Sequence, residues 1–130
     1  MSRDLIAQAR QAREKALATY SGFKVGAALE TADGRIYTGC NIENVSYGLT
    51  ICAERVALWK ALSDGSHEFR EMAIVTNAET LTTPCGACRQ LLWEYCGDIR
   101  IQLHSLKGLS EQHQLADLFP YPFDRRSLKV

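Results

Sequence analysis

The segment Pro84-Cys85-Gly86-Ala87-Cys88 holds the residues best suited to chemistry. A Cys-x-x-Cys pair sets two sulfurs on neighbouring turns, close enough to share one ion. At the start of a predicted helix, unpaired N–H groups and the positive end of the dipole favour the thiolate. Taken alone, the pair reads equally as a redox dithiol, half of a zinc site or a chance spacing. Ile51-Cys52-Ala53-Glu54-Arg55 supplies what it lacks, because Cys52 opens a second predicted helix. If both helices begin at one sheet edge, three thiolates converge. Three protein ligands leave the fourth tetrahedral position of zinc to water, the catalytic rather than the structural arrangement, and such water ionises near neutrality. Glu54 is the natural carrier of that proton. Positions i and i+2 do not share a helix face, so Cys52 and Glu54 reach one ion only from a first turn, off the helix end. Three thiolates on a dication leave a net negative charge. Arg55 is placed by sequence to offset it by donating hydrogen bonds to sulfur.

Around these residues the sequence reads as a run of helices and strands. Residues 3–19 form an amphipathic helix with Leu5, Ile6, Ala9, Ala12, Ala16 and Leu17 on its apolar face, started by Ser2 or Asp4. Val25–Glu30 and Arg35–Gly39 are strands joined by a hairpin turn at Asp33-Gly34. Asn41–Thr50 is a loop. Cys52 to Leu62 is a helix, Met72–Thr76 a buried strand, Pro84 to Tyr95 a helix and Ile99–His104 a strand. Leu115–Phe119 forms a last helical turn, and Pro120 and Pro122 force the tail out of helix. Helix–strand–helix–strand order favours parallel neighbours with crossover helices, giving a mixed sheet with helices on both faces.

A length of 130 residues, with no linker-like stretch and no repeat, predicts one domain over 1–130. Fifteen basic residues balance fifteen acidic ones, which disfavours a partner held by phosphate contacts, so no nucleic acid is expected. No run of about 18 apolar residues predicts a membrane helix. The charged N-terminus, MSRDLIAQARQAREK, has no apolar signal core, so the chain is expected in the cytoplasm. Five cysteines, an odd number in a reducing compartment, argue against a disulfide framework.

Four segments in order resemble the small zinc-dependent cytidine deaminases, the homotetrameric three-cysteine branch. They are Tyr20-Ser-Gly-Phe-Lys-Val-Gly-Ala-Ala-Leu29, Gly39-Cys-Asn-Ile-Glu-Asn44, Cys52-Ala-Glu-Arg55 and Pro84-Cys-Gly-Ala-Cys-Arg-Gln90. The resemblance spans nearly the whole chain and implies a three-layer α/β/α domain with a mixed five-stranded sheet. It implies Zn2+ held by Cys52, Cys85 and Cys88, with Glu54 as general acid/base. Asn41 and Glu43 would bind the ribose hydroxyls, while Phe23, Ala53 and Phe123 would line the substrate pocket. Phe123 matches an aromatic that the family inserts into a neighbour's site, and Val45 and Tyr47 fall at contacts across subunits. The reaction implied is hydrolytic deamination of cytidine and deoxycytidine to uridine and deoxyuridine, in pyrimidine salvage. Hydroxide generated at zinc would attack C4; Glu54 would take the water proton, deliver it to N3 and later protonate the leaving amine.

Read without the resemblance, Asn41 and Glu43 are loop polar groups, Phe23 is core packing and Phe123 covers a tail edge. Cys40 and Cys96 read as small buried residues. His67, His104 and His113 have no ligand spacing, and Trp59 is packing or a subunit contact. The rival functions are deamination of a cytosine-containing antibiotic or modified nucleoside, a non-catalytic zinc module, and a polynucleotide deaminase. The Asn41-x-Glu43 pair favours ordinary nucleosides.

Overall fold

The strands alternate between two apolar faces, and the two faces are buried by different helices. Ala27 and Leu29 point to one side of the sheet with Met72, Ile74, Ile101 and Leu103, and Ala28 points to the other with Ala73 and Val75. The computed structural model describes residues 2–128, with side chains from residue 4 onward. Its elements are α1 (Ser2–Arg13), β1 (Gly26–Thr31), β2 (Ile36–Cys40), a 3₁₀ turn (Tyr47–Leu49), α2 (Ala53–Ser63) and β3 (Phe69–Thr76). There follow α3 (Gly86–Cys96), β4 (Arg100–Ser105), β5 (Ser110–Gln114), α4 (Leu115–Leu118) and α5 (Arg125–Leu128).

The five strands lie in the order β2-β1-β3-β4-β5. β1 pairs antiparallel with both β2 and β3, β3 pairs parallel with β4, and β4 pairs antiparallel with β5. The sheet is therefore mixed. Leu5 and Ala9 of α1 cover one face, and Ala53, Ala57, Leu58 and Ala61 of α2 with Leu92 of α3 cover the other, which makes the layering α/β/α. The register also decides where α2 and α3 begin. β2 and β3 both run opposite to β1, so both run the same way, and the helices that follow them start from the same edge of the sheet.

Two glycines permit the close layers. A Cβ on Gly39 would lie 2.4 Å from the Ala53 carbonyl oxygen, and one on Gly26 would lie 2.0 Å from that of Ala9. The hairpin turn falls at Asp33-Gly34 as expected, with Gly34 at φ 93°.

Two expectations need correction, and one strand goes unmarked by residue type. The first helix ends at Arg13 rather than running to residue 19, because Leu17 leaves it to form a bridge with Ile42. The residue-by-residue reading marks no strand at β5, which is all polar, Ser-Glu-Gln-His-Gln. The tail does return to helix at α5: Asp124 accepts the Arg126 N–H on its side chain and the Ser127 N–H on its carbonyl. Ser2 as a start signal lies outside the described side chains, and Asp4 sits within the first turn of α1. Among the described residues no helix is long and apolar enough to cross a membrane.

Candidate active site

Cys52 and Cys85 are the N-cap residues of α2 and α3, both with extended backbone (φ −76°, ψ 151° and φ −64°, ψ 165°). Cys88 follows in the first turn of α3. Because α2 and α3 start from one sheet edge, the caps meet: the Cys52 and Cys85 sulfurs are 3.9 Å apart, and all three sulfurs lie within 4.8 Å of one another. Sulfurs at ~2.3 Å from a tetrahedral zinc would stand about 3.8 Å apart, so the donor set fits that ion. Among the described residues no His, Asp or Glu joins the group, and the three histidines lie outside it.

The electrostatics follow from the same packing. The Cys52 thiol is lowered to about 6, chiefly by its hydrogen bond with Cys88, then by Cys85 and the Arg55 charge. Cys88, the other partner of that bond and buried, is pushed up. Three crowded thiols that cannot all ionise alone suit a dication that takes the place of their protons. Arg55 Nε is buried and has no hydrogen-bond partner, a donor left over beside this cluster. Glu54, one residue into α2, is only 6% exposed. Burial raises its carboxyl to about 7; a hydrogen bond to its own backbone lowers it, the Cys52 charge raises it and Arg55 lowers it. Ala53, fully buried between Cys52 and Glu54, packs the start of α2 against Gly39.

A second set of predicted residues is knitted together beside the first. Asn41 is buried; its Oδ1 accepts the Val25 N–H (2.9 Å) and its Nδ2 donates to the Phe23 carbonyl (2.8 Å). Glu43 Oε1 accepts the N–H groups of Tyr20 (2.8 Å) and Ser21 (3.0 Å), and its Oε2 accepts the Ser21 hydroxyl. These bonds, the Ser21 hydroxyl first, hold the Glu43 carboxyl below the usual carboxylate range. Ile42, between Asn41 and Glu43, pairs with Leu17 on one side and with Ile51 on the other, so the set is stitched to the residue before Cys52. A cavity of about 390 Å³ opens against Glu43, lined by Tyr20, Ser21, Tyr47 and Thr50.

Sequence reasoning passed over Ser21 and Gly39. A glycine inside a strand signals close backbone approach, and that signal was present for Gly39. Phe23 and Phe123 are both exposed, Phe123 on the segment after α4. Val45 and Tyr47 are 76% and 74% exposed. Trp59 meets Tyr95 of α3 edge to face, with centroids 6.1 Å apart, and stays 39% exposed. Cys40 and Cys96 are half-buried rather than sealed in the core.

Residues 1–103 match the family described as the cytidine and deoxycytidylate deaminase zinc-binding region. The chain belongs to this deaminase family. It is 49% identical over 125 residues to the cytidine deaminase of Sporosarcina psychrophila, covering 95% of this chain and 92% of the relative. The crystal structure of cytidine deaminase from Burkholderia pseudomallei superposes with a TM-score of 0.90 at 45% identity, covering 95% of this chain and 99% of that one. The blasticidin-S deaminase of Bacillus cereus is 30% identical over 124 residues, 88% of each chain. The zinc of this deaminase family suits the three-sulfur group found here.

Proposed function

We propose that this chain is a zinc-dependent cytidine deaminase that hydrolyses cytidine and deoxycytidine to uridine and deoxyuridine with release of ammonia. The observation that carries the reading is the meeting of three sulfurs at two helix starts with a buried carboxyl two residues from one of them. The 130 residues act as one catalytic domain. Cys52, Cys85 and Cys88 hold the zinc. When bound, zinc lowers the pKa of water and supplies a nucleophile for C4 at neutral pH.

The remaining work falls to the chain's own groups. Burial raises the Glu54 carboxyl above the usual carboxylate range, towards the neutral pH at which a group both takes and gives protons. Glu54 accepts one proton of the attacking water and delivers it to N3 of the cytosine; it then takes the second proton from the new C4 hydroxyl and passes it to the amine, so that the C4–N bond breaks as the carbonyl forms. Arg55 offsets the charge of the sulfurs, and its unpartnered Nε is the donor available for that. Asn41 and Glu43 bind the ribose hydroxyls. Asn41 has one N–H and one lone pair left after propping Phe23 and Val25, and Glu43 has one acceptor site left after its three bonds. Phe23 and Ala53 line the pocket. Phe123 closes a neighbour's pocket within a homotetramer of the three-cysteine branch, which fits its exposure of 58%. The enzyme serves pyrimidine salvage in the cytoplasm and needs no nucleic-acid groove.

The test is turnover of cytidine, deoxycytidine, free cytosine, N4-substituted cytidines and blasticidin S, side by side. The expected order puts the two plain nucleosides far ahead. Faster turnover of free cytosine than of cytidine would contradict the ribose role of Asn41 and Glu43. Preference for blasticidin S would assign the chain to antibiotic resistance instead.

A further inference from the structure

Helix α3 carries Cys88 in its first turn, and the side chains that follow Cys88 hold the end of the chain. The Arg89 guanidinium forks in two directions. Its Nε donates to the Pro84 carbonyl (2.8 Å) and its Nη2 to the Thr83 hydroxyl (2.8 Å), on the loop that leads into Cys85. Its Nη1 donates to the Leu118 carbonyl (3.0 Å), at the end of α4. Gln90 Nε2 donates to the Phe123 carbonyl (2.8 Å), and Trp93 Nε1 donates to Asp124 Oδ2 (3.3 Å). The segment from Leu118 to Asp124 is thus fastened at three points to one helix, and one fastener also grips the loop of a zinc ligand. Between the fasteners lies Pro120-Tyr121-Pro122. Tyr121 is fully exposed and has φ 53°, the only non-glycine residue with positive φ among those described. Such a conformation persists only where the surroundings impose it.

We propose that Arg89 and Gln90 are positioning residues that couple occupancy of the metal centre to the placement of the C-terminal segment. This rests on the reading of Cys52, Cys85 and Cys88 as the zinc site. The guanidinium is a rigid plane, so the Pro84 carbonyl, the Thr83 hydroxyl and the Leu118 carbonyl are held in one fixed relation. An ion shared by Cys85 and Cys88 immobilises the Pro84-Cys85 loop and the first turn of α3. That fixes the fork, and the fork fixes Leu118. Without the ion, the exposed Cys85 and its loop are free to move, and the fork moves with them. The coupling is reciprocal, so loosening the segment weakens zinc binding. Gln90, the next residue, carries the effect to the backbone of Phe123, the residue assigned to a pocket.

The chain provides its own reporter, because the exposed Arg125 and Arg126 directly follow the last fastener. Trypsin cleavage there, followed by mass, tracks the population of undocked segment when docking is fast. The experiment compares zinc-loaded and metal-free protein for wild type, Arg89→Lys and Gln90→Ala, with zinc affinity measured by chelator competition. In wild type, zinc should slow this cleavage about fivefold or more. In Arg89→Lys, whose ammonium cannot span the three acceptors, that protection should vanish, and zinc affinity should fall about tenfold. Gln90→Ala touches only the tail, so any loss of zinc affinity in it, expected at about threefold, is read across the coupling. A purely structural clamp would raise cleavage equally with and without zinc. That result, or zinc binding to wild type without any protection of the tail, would overturn the coupling alone. Failure of wild type to bind zinc would overturn the site assignment and the coupling together.

Discussion

Cys96 and Cys52 carry the same side chain in opposite surroundings. Burial against the main core pushes the Cys96 thiol up to about 12, while neighbouring sulfurs and Arg55 pull Cys52 down to about 6. For Cys96 the folded value lies above the unfolded one. Its contribution to stability is therefore complete below pH 9 and is lost as pH rises from 9 towards 12. The loss reaches about 2 kcal/mol near pH 10.5. Chemical denaturation at pH 8 and pH 10.5 should show that much extra loss in wild type over Cys96→Ala, whatever the packing cost of the variant; equal slopes would contradict the assignment. Asn41 makes a different residue-level prediction. Asn41→Ala leaves the Val25 N–H and the Phe23 carbonyl without partners next to a buried site, at a cost of about 1–3 kcal/mol. Urea titration should show that loss, and kinetics should show a raised KM for cytidine; an unchanged KM would remove Asn41 from the ribose contact.

At the scale of elements, the site depends on how closely α2 approaches β2. Gly39→Ala would drive a methyl group to within 2.4 Å of the Ala53 carbonyl, so the first turn of α2 must shift. Overpacking of this kind costs about 1–3 kcal/mol. We expect a lowered thermal midpoint together with weaker zinc retention on dialysis, because the helix start that moves is the one carrying Cys52 and Glu54. Normal zinc retention in a destabilised variant would separate packing from the site. The metal group was legible in the sequence because its parts are local: Cys-x-x-Cys, Cys-Ala-Glu-Arg and the helix starts they mark. The meeting of the two starts was conditional until the strand register set β2 and β3 in one direction. Elements governed by distant contacts were less legible. Ala16 and Leu17 extend the helical period, yet Leu17 is drawn off to pair with Ile42. β5 is a polar edge strand laddered to β4, with Gln114 also donating to the Asp98 carbonyl, and residue types alone do not mark it. The Arg89 and Gln90 clamp joins residues about thirty positions apart through backbone carbonyls, which no side-chain pattern encodes.

For the whole molecule, the telling feature is an apolar surface beside the pocket. Val45, Tyr47 and Leu49 all stand out from the 3₁₀ turn and the residues just before it, next to Glu43, with Tyr20 packed edge to face on Tyr47 at 5.9 Å. Exposed clusters of this sort mark contacts with other chains. In the proposed homotetramer this turn is covered by a neighbour, and the neighbour's Phe123 completes the site. Tyr47→Asp should therefore lower the sedimenting mass and the activity together, without changing zinc content. A fully active monomer would contradict shared sites. Turnover, as proposed, rests on a buried carboxyl that moves protons for water held at a three-thiolate zinc. This is tested most directly by measuring zinc stoichiometry and cytidine turnover on the same samples of wild type and Glu54→Gln. We expect one zinc per chain in both and a loss of turnover of about a hundredfold or more in the variant; a zinc-loaded Glu54→Gln enzyme that still turns over cytidine at the wild-type rate would remove Glu54 from proton transfer.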